Sequence, residues 1–175
     1  MNNLKHILLL TLLLIAGYNA KSQHDNQQTN PDIPEIKSYV NDYADILTEK
    51  EEGQLTVLLR SLEDSIGSQL VILSIDSLSG HTIKEFSLQI ASIAKIGRAN
   101  YDDGILITFA RYDRQVRIEV GYGLEQIIRD EIAKKIIDST MIPEFRNGDF
   151  YAGLRKGSEE IIHLICSNPE LVGKR

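Results

Sequence analysis

The chain has 175 residues, 42% of them hydrophobic and 25% charged, which suits one globular domain of ordinary size. Its formal net charge is −6, the opposite of the basic patch carried by proteins that grip a phosphate backbone, so nucleic acid is excluded as a partner. Six per cent aromatic residues and no Trp argue against an aromatic-walled sugar or base-stacking site.

The first residues, "MNNLKHILLLTLLLIAGYNAKSQ", have a basic start at Lys5, an apolar core from Ile7 to Ala16, and then small and polar residues. That is the layout of a secretory signal peptide. The apolar core is too short to cross a bilayer as a helix, which takes ~20 residues. Ala20-Lys21-Ser22 places small residues where a signal peptidase reads them, so a signal peptide is predicted over 1–22. An uncleaved N-terminal anchor is the alternative. The predicted mature protein is exported, periplasmic or secreted. Cleavage removes Lys5 and Lys21 and no acid, which moves the balance from −6 to −8. No second apolar span follows, so no transmembrane segment is expected in the mature chain. Cys166 is the only cysteine, so an intrachain disulfide is impossible. Its apolar helical surroundings predict a buried thiol.

Residues 23–34, "QHDNQQTNPDIP", are polar, Asn/Gln-rich and carry two prolines, and read as a linker. The folded unit is predicted over 35–168, with a tail at 169–175. Thr48 is an N-cap whose partner Glu51 completes a capping box. Leu55, Leu58, Leu59, Leu62 and Ile66 then recur at helical spacing, and Gly67 is a stop. "SQLVILSID" reads as a buried strand. "TIKEFSLQIASIAKIG" reads as a helix closed by Gly97, and "GILITFA" as another buried strand. Strand, helix, strand implies parallel strands and a right-handed crossover. "RQVRIEV" alternates, with Val116, Ile118 and Val120 on one face, and only Arg111 to Arg114 separates it from the strand before. A short antiparallel hairpin follows. Further helices are expected from Asp130 to Thr140, before Pro143, and after a cap at Asn147 or Asp149. Gly153 and Gly157 in the last helix imply close packing on the sheet. The fold class is α/β: a three-layer α/β/α sandwich with a mixed sheet of about four strands and helices on both faces.

The hairpin sorts the charged residues. Asp102 and Asp103 precede its first strand and Glu125 follows its second, so all three are expected at one end of the sheet. Asp130 and Glu131 either join them or favour the dipole of the helix they open. Clustered carboxylates repel unless a cation or protons sit among them, and oxygen ligands suit Ca²⁺ or Mg²⁺. Solvated turn residues are the plain alternative. Arg111, Asp113, Arg114 and Asp76 fall at the other end, where open α/β sheets bind ligands. Two arginines there suit a phosphate or carboxylate, and a solvated Arg–Asp turn is the alternative.

Other chemistry finds no motif. Gly121-Tyr-Gly-Leu-Glu lacks the third glycine of a dinucleotide loop and follows a hairpin strand. There is no G-x-S-x-G, no phosphate-binding P-loop, and no Arg six residues after Cys166. His6, His24, His81 and His163 stand apart, which argues against zinc. Only "DDG" matches the helix–loop–helix calcium loop.

Four stretches carry a family resemblance: "YVNDYADILTEKEEGQL", "GSQLVILSIDSLSGHTIKEFSLQIA", "KIGRANYDDGILITFARYDRQVRIEVGYGLE" and "MIPEFRNGDFYAGLRKGSEEI". The marks are Asp103-Gly104 before an apolar strand, Asp113-Arg114, Gly121 to Glu125, and Pro143 and Phe145 before Asp149. From about Tyr39 to Ile162 the chain resembles a TPM domain. The resemblance implies an α/β/α sandwich and an exported or membrane-facing place, and its functions are mixed. A thylakoid member is linked to photosystem II repair and described as an acid phosphatase. An animal member is an auxiliary subunit of an acetylcholine receptor, and some bacterial members bind calcium. The resemblance carries Asp42, Asp102, Asp103, Arg114 and Glu125 over as site positions. The function it implies is a divalent-cation (calcium) binding module in the maintenance of membrane or envelope protein complexes. A metal-assisted acid phosphatase of low specificity, with Arg114 as phosphate clamp, is the alternative. Many bacterial relatives also carry a C-terminal membrane span and glycine-rich tail, neither of which is seen here. Were Ser38–Asn41 a strand parallel to its successor, Asp42 would fall at the Arg114 end.

Overall fold

The computed structural model describes residues 33–174. The expected signal peptide and most of the linker lie outside the described residues. In chain order the elements are β1 (Val40–Asp42), α1 (Glu49–Ile66), β2 (Gln69–Ile75), α2 (Ile83–Ala94), β3 (Gly104–Ala110), β4 (Gln115–Val120), α3 (Asp130–Lys135), α4 (Ile142–Arg146) and α5 (Phe150–Cys166). A π-helical segment, Ile136–Met141, joins α3 to α4.

The four strands lie in the order β1-β2-β3-β4. β1 and β2 are parallel, β2 and β3 are parallel, and β4 returns antiparallel to β3. β3 is buried along its whole length and β2 at all but its first residue. Alternate residues of these strands therefore feed two cores. Leu70, Ile72, Ile105 and Ile107 pack with Leu55, Leu59 and Leu62 of α1 and with Leu154, Ile161 and Ile165 of α5. Val71, Leu73 and Leu106 pack with Phe86 and Ile90 of α2. Each fully buried leucine contributes about 2 kcal/mol of transfer free energy.

The sandwich is the one expected, with one departure. The β1–β2 and β2–β3 crossovers step the same way across the sheet, yet α1 and α2 cover opposite faces. Two such crossovers have opposite hand, so one breaks the right-handed rule. The physical demand is coverage: strands apolar on both sides need a helix on each.

Both capping boxes form, Thr48 with Glu51 and Thr82 with Glu85. Gly67 ends α1 in the left-handed region, φ 89°. α2 ends earlier than expected, on Lys95 rather than Gly97. The segment after β4 is also not a single helix stopping before Pro143. The π segment widens the turn, and Pro143 sits in the first turn of α4, where a missing N–H costs nothing. Asp149 caps α5, accepting from the Ala152 N–H at 2.8 Å. Gly153 and Gly157 face the Phe145 ring and the Met141 side chain, not the sheet. Cys166 is exposed, against the buried thiol expected, because α5 turns Ile161 and Ile165 inward and leaves Cys166 on the outer side.

The core reaches past the predicted limits. Ile33 packs on the α2-side core, and Leu171 and Val172 pack on the other. The Gly173 N–H donates to the Gly123 carbonyl at 2.9 Å. Among the described residues, no helix is long and apolar enough to cross a membrane.

Candidate functional site

The amino end of β3 is built tightly. Asp103 is wholly buried, and its carboxylate accepts from four donors. These are the Arg98 backbone N–H at 2.7 Å, Arg98 Nε at 2.9 Å, Arg98 Nη2 at 2.6 Å, and Ser68 Oγ at 3.0 Å. The Arg98 guanidinium also lies 3.9 Å from the Tyr101 ring centroid. The Gly-Tyr-Gly run closes on the same corner. A Cβ on Gly123 would lie 1.8 Å from the Tyr101 carbonyl oxygen, and one on Gly121 would lie 2.2 Å from that of Asp102. The Gly123 N–H donates to the Asp102 carbonyl at 2.9 Å. The glycines thus admit a close backbone approach, which is their use here rather than a dinucleotide.

Asp102 and Glu125 therefore share this corner, while Asp103 is committed to Arg98 and Ser68. Asp102 has a left-handed φ of 49°. Glu125 is exposed, with Glu119, Asp130 and Glu131 along one cleft that also holds Arg117 and Arg129. Among the described residues, no group of three or more His, Cys, Asp or Glu is placed to hold a metal ion.

Asp42 is at the other end. β1 runs parallel to β2 with Asp42 opposite Ser74, and Ser74 lies opposite Phe109 near the end of β3. The Asp42 carboxylate organises the β1–α1 loop. Its Oδ2 accepts from the N–H groups of Ile46 and Leu47, at 2.9 and 2.8 Å, and Oδ1 accepts from the Ser74 hydroxyl. Half-buried Glu52 faces the same loop. Burial, then the charges on Asp42, Glu49 and Asp45, push its carboxyl above the usual range.

The arginines gather beside that loop. Arg111 donates through Nη1 to the Ala44 carbonyl at 3.0 Å. Arg114 holds the hairpin turn with a φ of 53°. Both line a cavity of about 600 Å³, and so does Arg146 at the end of α4. The rest of the lining is apolar: Phe109, Phe145 and Phe150, with Val116 and Ile142. The three rings form one cluster, with centroids 4.9, 5.3 and 6.1 Å apart. Asp113, the expected arginine partner, instead accepts the Leu78 N–H at 2.8 Å and pins the β2–α2 loop. Among the described residues no ion pair ties Arg111, Arg114 or Arg146 to an acid.

Arg146 and Phe150 carry no local signal in the sequence, and Phe145 stands there only as a family mark. They reach Arg114 only because α4 and α5 pack over the end of β3. Arg98 was equally silent, since its role depends on a fold of the chain back onto Asp103.

The TPM domain profile matches residues 40–164. The chain is similar in structure to the N-terminal domain of a protein from P. gingivalis, solved by solution NMR. The two are 28% identical with a TM-score of 0.70, over 75% of this chain and 84% of that one. It also resembles the BA42 protein of Bizionia argentinensis, at 19% identity and a TM-score of 0.61, over 69% and 82% of the two chains. The N-terminal domain of the cg2496 protein of Corynebacterium glutamicum is 12% identical with a TM-score of 0.59, over 82% and 87%. At those last two identities the likeness speaks to fold alone. No curated protein matches the sequence.

Proposed function

We propose, for a chain that belongs to the TPM domain family, an exported binding module that takes an anionic ligand with an apolar body at the carboxyl end of its sheet. One observation carries this reading: Arg111, Arg114 and Arg146, none of them ion-paired to an acid among the described residues, converge on a phenylalanine-floored cavity, in a protein whose net charge is −6. Placing three like charges together costs free energy that a bound anion recovers. Guanidinium groups match the planar fork of a phosphate or carboxylate. The rings offer contact area to the rest of the ligand. The position agrees with the general habit of open α/β sheets. Export rests on the N-terminal pattern, and a task among envelope protein complexes rests on the family resemblance.

The test is a titration with phenyl phosphate, which pairs an anion with a ring. Binding raises thermal stability by mass action. The gain is expected to vanish in Arg114→Ala and Arg146→Ala while both variants stay folded.

A second reading places a divalent cation, Ca²⁺ or Mg²⁺, at the Asp42 loop. The observation in its favour is that Asp42, Glu49 and Asp45 lie near enough to Glu52 to add to the rise of its carboxyl, behind burial as the leading cause. No three described acids are placed to hold a metal together, so backbone carbonyls or water would complete its shell. A cation would relieve that repulsion. It would stand at the same end of the sheet as the arginines, the arrangement a metal-assisted phosphatase needs. Calcium titration tests it through the Glu52 carboxyl signal. An unchanged Glu52 titration in saturating metal removes the reading. Hydrolysis of the phosphate ester that is lost with chelator would separate catalysis from binding.

A further inference from the structure

β4 is an edge strand, and its open side is patterned. The Gly121 N–H donates to the Gly104 carbonyl at 2.8 Å. With Ile105 opposite Val120, this sets the phase of the ladder. Glu119, Arg117 and Gln115 turn their backbone groups toward β3, and Val120, Ile118 and Val116 turn theirs outward. No backbone bond reaches those outward groups among the described residues. The strand lines an open cleft of about 1140 Å³, with Lys84 and Leu88 of α2 on one wall. Leu88 is an exposed large hydrophobic at 47%.

Edge strands are usually blunted by proline, bulges or charged side chains. β4 has no proline, and its two charges, Arg117 and Glu119, are of opposite sign and so can be matched by a partner strand. Its outer-edge sequence is Val116-Arg117-Ile118-Glu119-Val120, a pattern that reads as its own complement when reversed about Ile118. We infer that β4 pairs antiparallel with β4 of a second copy, on a two-fold axis at Ile118, to give one continuous sheet. The two Ile118 residues then exchange both of their backbone bonds, and Val116 does the same with Val120 of the other copy. Arg117 stands opposite Glu119 of the other copy, and Glu119 opposite its Arg117, in the close non-bonded pairs of the ladder. In the single chain these two side chains form an ion pair with each other, and among the described residues with no other group. The side chains of Val116, Ile118 and Val120 already flank the α1-side core, so pairing extends that core across the axis. An isologous contact of this kind closes as a dimer and does not propagate.

Charge reversal tests it at two partly buried positions outside the hydrophobic core. Arg117→Glu gives a strand with acids at both positions, and Glu119→Arg gives one with bases at both. Each alone sets like charges opposite each other, and its dimer dissociation constant, read by sedimentation, is expected to rise at least about tenfold over the parent chain. Mixed one to one, the two variants restore both cross-strand pairs while neither regains its internal Arg117–Glu119 pair. A heterodimer in the mixture is therefore the distinguishing result. Hydrogen exchange provides a second readout on the unaltered chain. The amides of Val116, Ile118 and Val120 should become protected as concentration rises. A chain that stays monomeric with concentration-independent exchange at those amides overturns the inference. So does a mixture that associates no better than its components, or an edge that binds an added extended peptide but not a second copy.

Discussion

Arg98 and Asp103 form a fork whose acid is wholly buried and whose base is partly in solvent: Arg98 Nη2 lies 2.6 Å from Asp103 Oδ2, with side-chain exposures of 39% and 0%. The pair seals the corner where β2 begins, the loop after α2 turns and β3 starts. A carboxylate in such a place is stable only while its donors remain. Replacing Arg98 with Met keeps the stem over Tyr101 and removes the charge. Asp103 would then be buried without its counter-ion, and the expected cost is about 3 kcal/mol, measured by chemical denaturation. A loss near zero would mean that the backbone N–H and Ser68 hold the carboxylate unaided.

Tyr39 and Glu63 are coupled across the α1 face. The Tyr39 hydroxyl donates to Glu63 and Gln69 donates to the same carboxylate. The Tyr39 bond is the chief reason that Glu63 titrates below its ordinary 4.5 and that the Tyr39 hydroxyl titrates above its ordinary 10.0. The signs differ. Glu63 contributes stability above pH 4.5 that is lost as pH falls through its lowered folded pKa. Tyr39 contributes stability below pH 10.0 that is lost as pH rises through its raised folded pKa. In Tyr39→Phe, NMR titration should show Glu63 moved upward but still lowered by Gln69. An unmoved Glu63 would deny the coupling.

Two glycines give opposite forecasts. Gly53 sits within α1, where a Cβ would meet no group within 4 Å beyond its chain neighbours and the helix's own backbone, so Gly53→Ala should stabilise by about 0.5–1 kcal/mol. Gly123 would press a Cβ to 1.8 Å from a backbone oxygen. Gly123→Ala should destabilise by about 3 kcal/mol as the Tyr101–Asp102 loop is pushed away. Thermal melts of the two variants should bracket the parent chain.

Glu52 reports on the Asp42 loop. Burial is the leading cause of its raised carboxyl, with Asp42 next and Asp45 contributing less. Asp45 has a left-handed φ of 48°, a conformation that Asn tolerates. Asp45→Asn should therefore lower the Glu52 pKa modestly and leave it above its ordinary value of 4.5. A Glu52 carboxyl that falls to the ordinary value would place the cause in charge rather than burial.

The elements that were legible in the sequence are those that local chemistry dictates. Thr48 with Glu51, Gly67 and the apolar runs of β2 and β3 specify their structure within a few residues of themselves. The alternation of Val116, Ile118 and Val120 shows both the hairpin and its inward face. The site was legible in part. Hairpin geometry places Arg111 and Arg114 together, but not Arg146, which arrives through the packing of α4. Spacing sets Asp102 beside Asp103. It does not show that Asp103 is buried against Arg98, because burial there is decided by the path of the chain between α2 and β3. Asp42 needed the direction of β1, a strand of only three residues whose partner no local pattern names.

The arginine cavity is the centre of the functional account, and the side-chain Nε–H resonances of Arg111, Arg114 and Arg146 read it most directly. Phenyl phosphate added in steps should shift these three signals along one saturable curve. Phe109, Phe145 and Phe150 ring signals should follow the same midpoint, and Arg98, paired with Asp103 at the opposite end of the sheet, should stay still. Arginine signals that move linearly and alike across the whole protein, with the phenylalanine rings unmoved, would contradict the account.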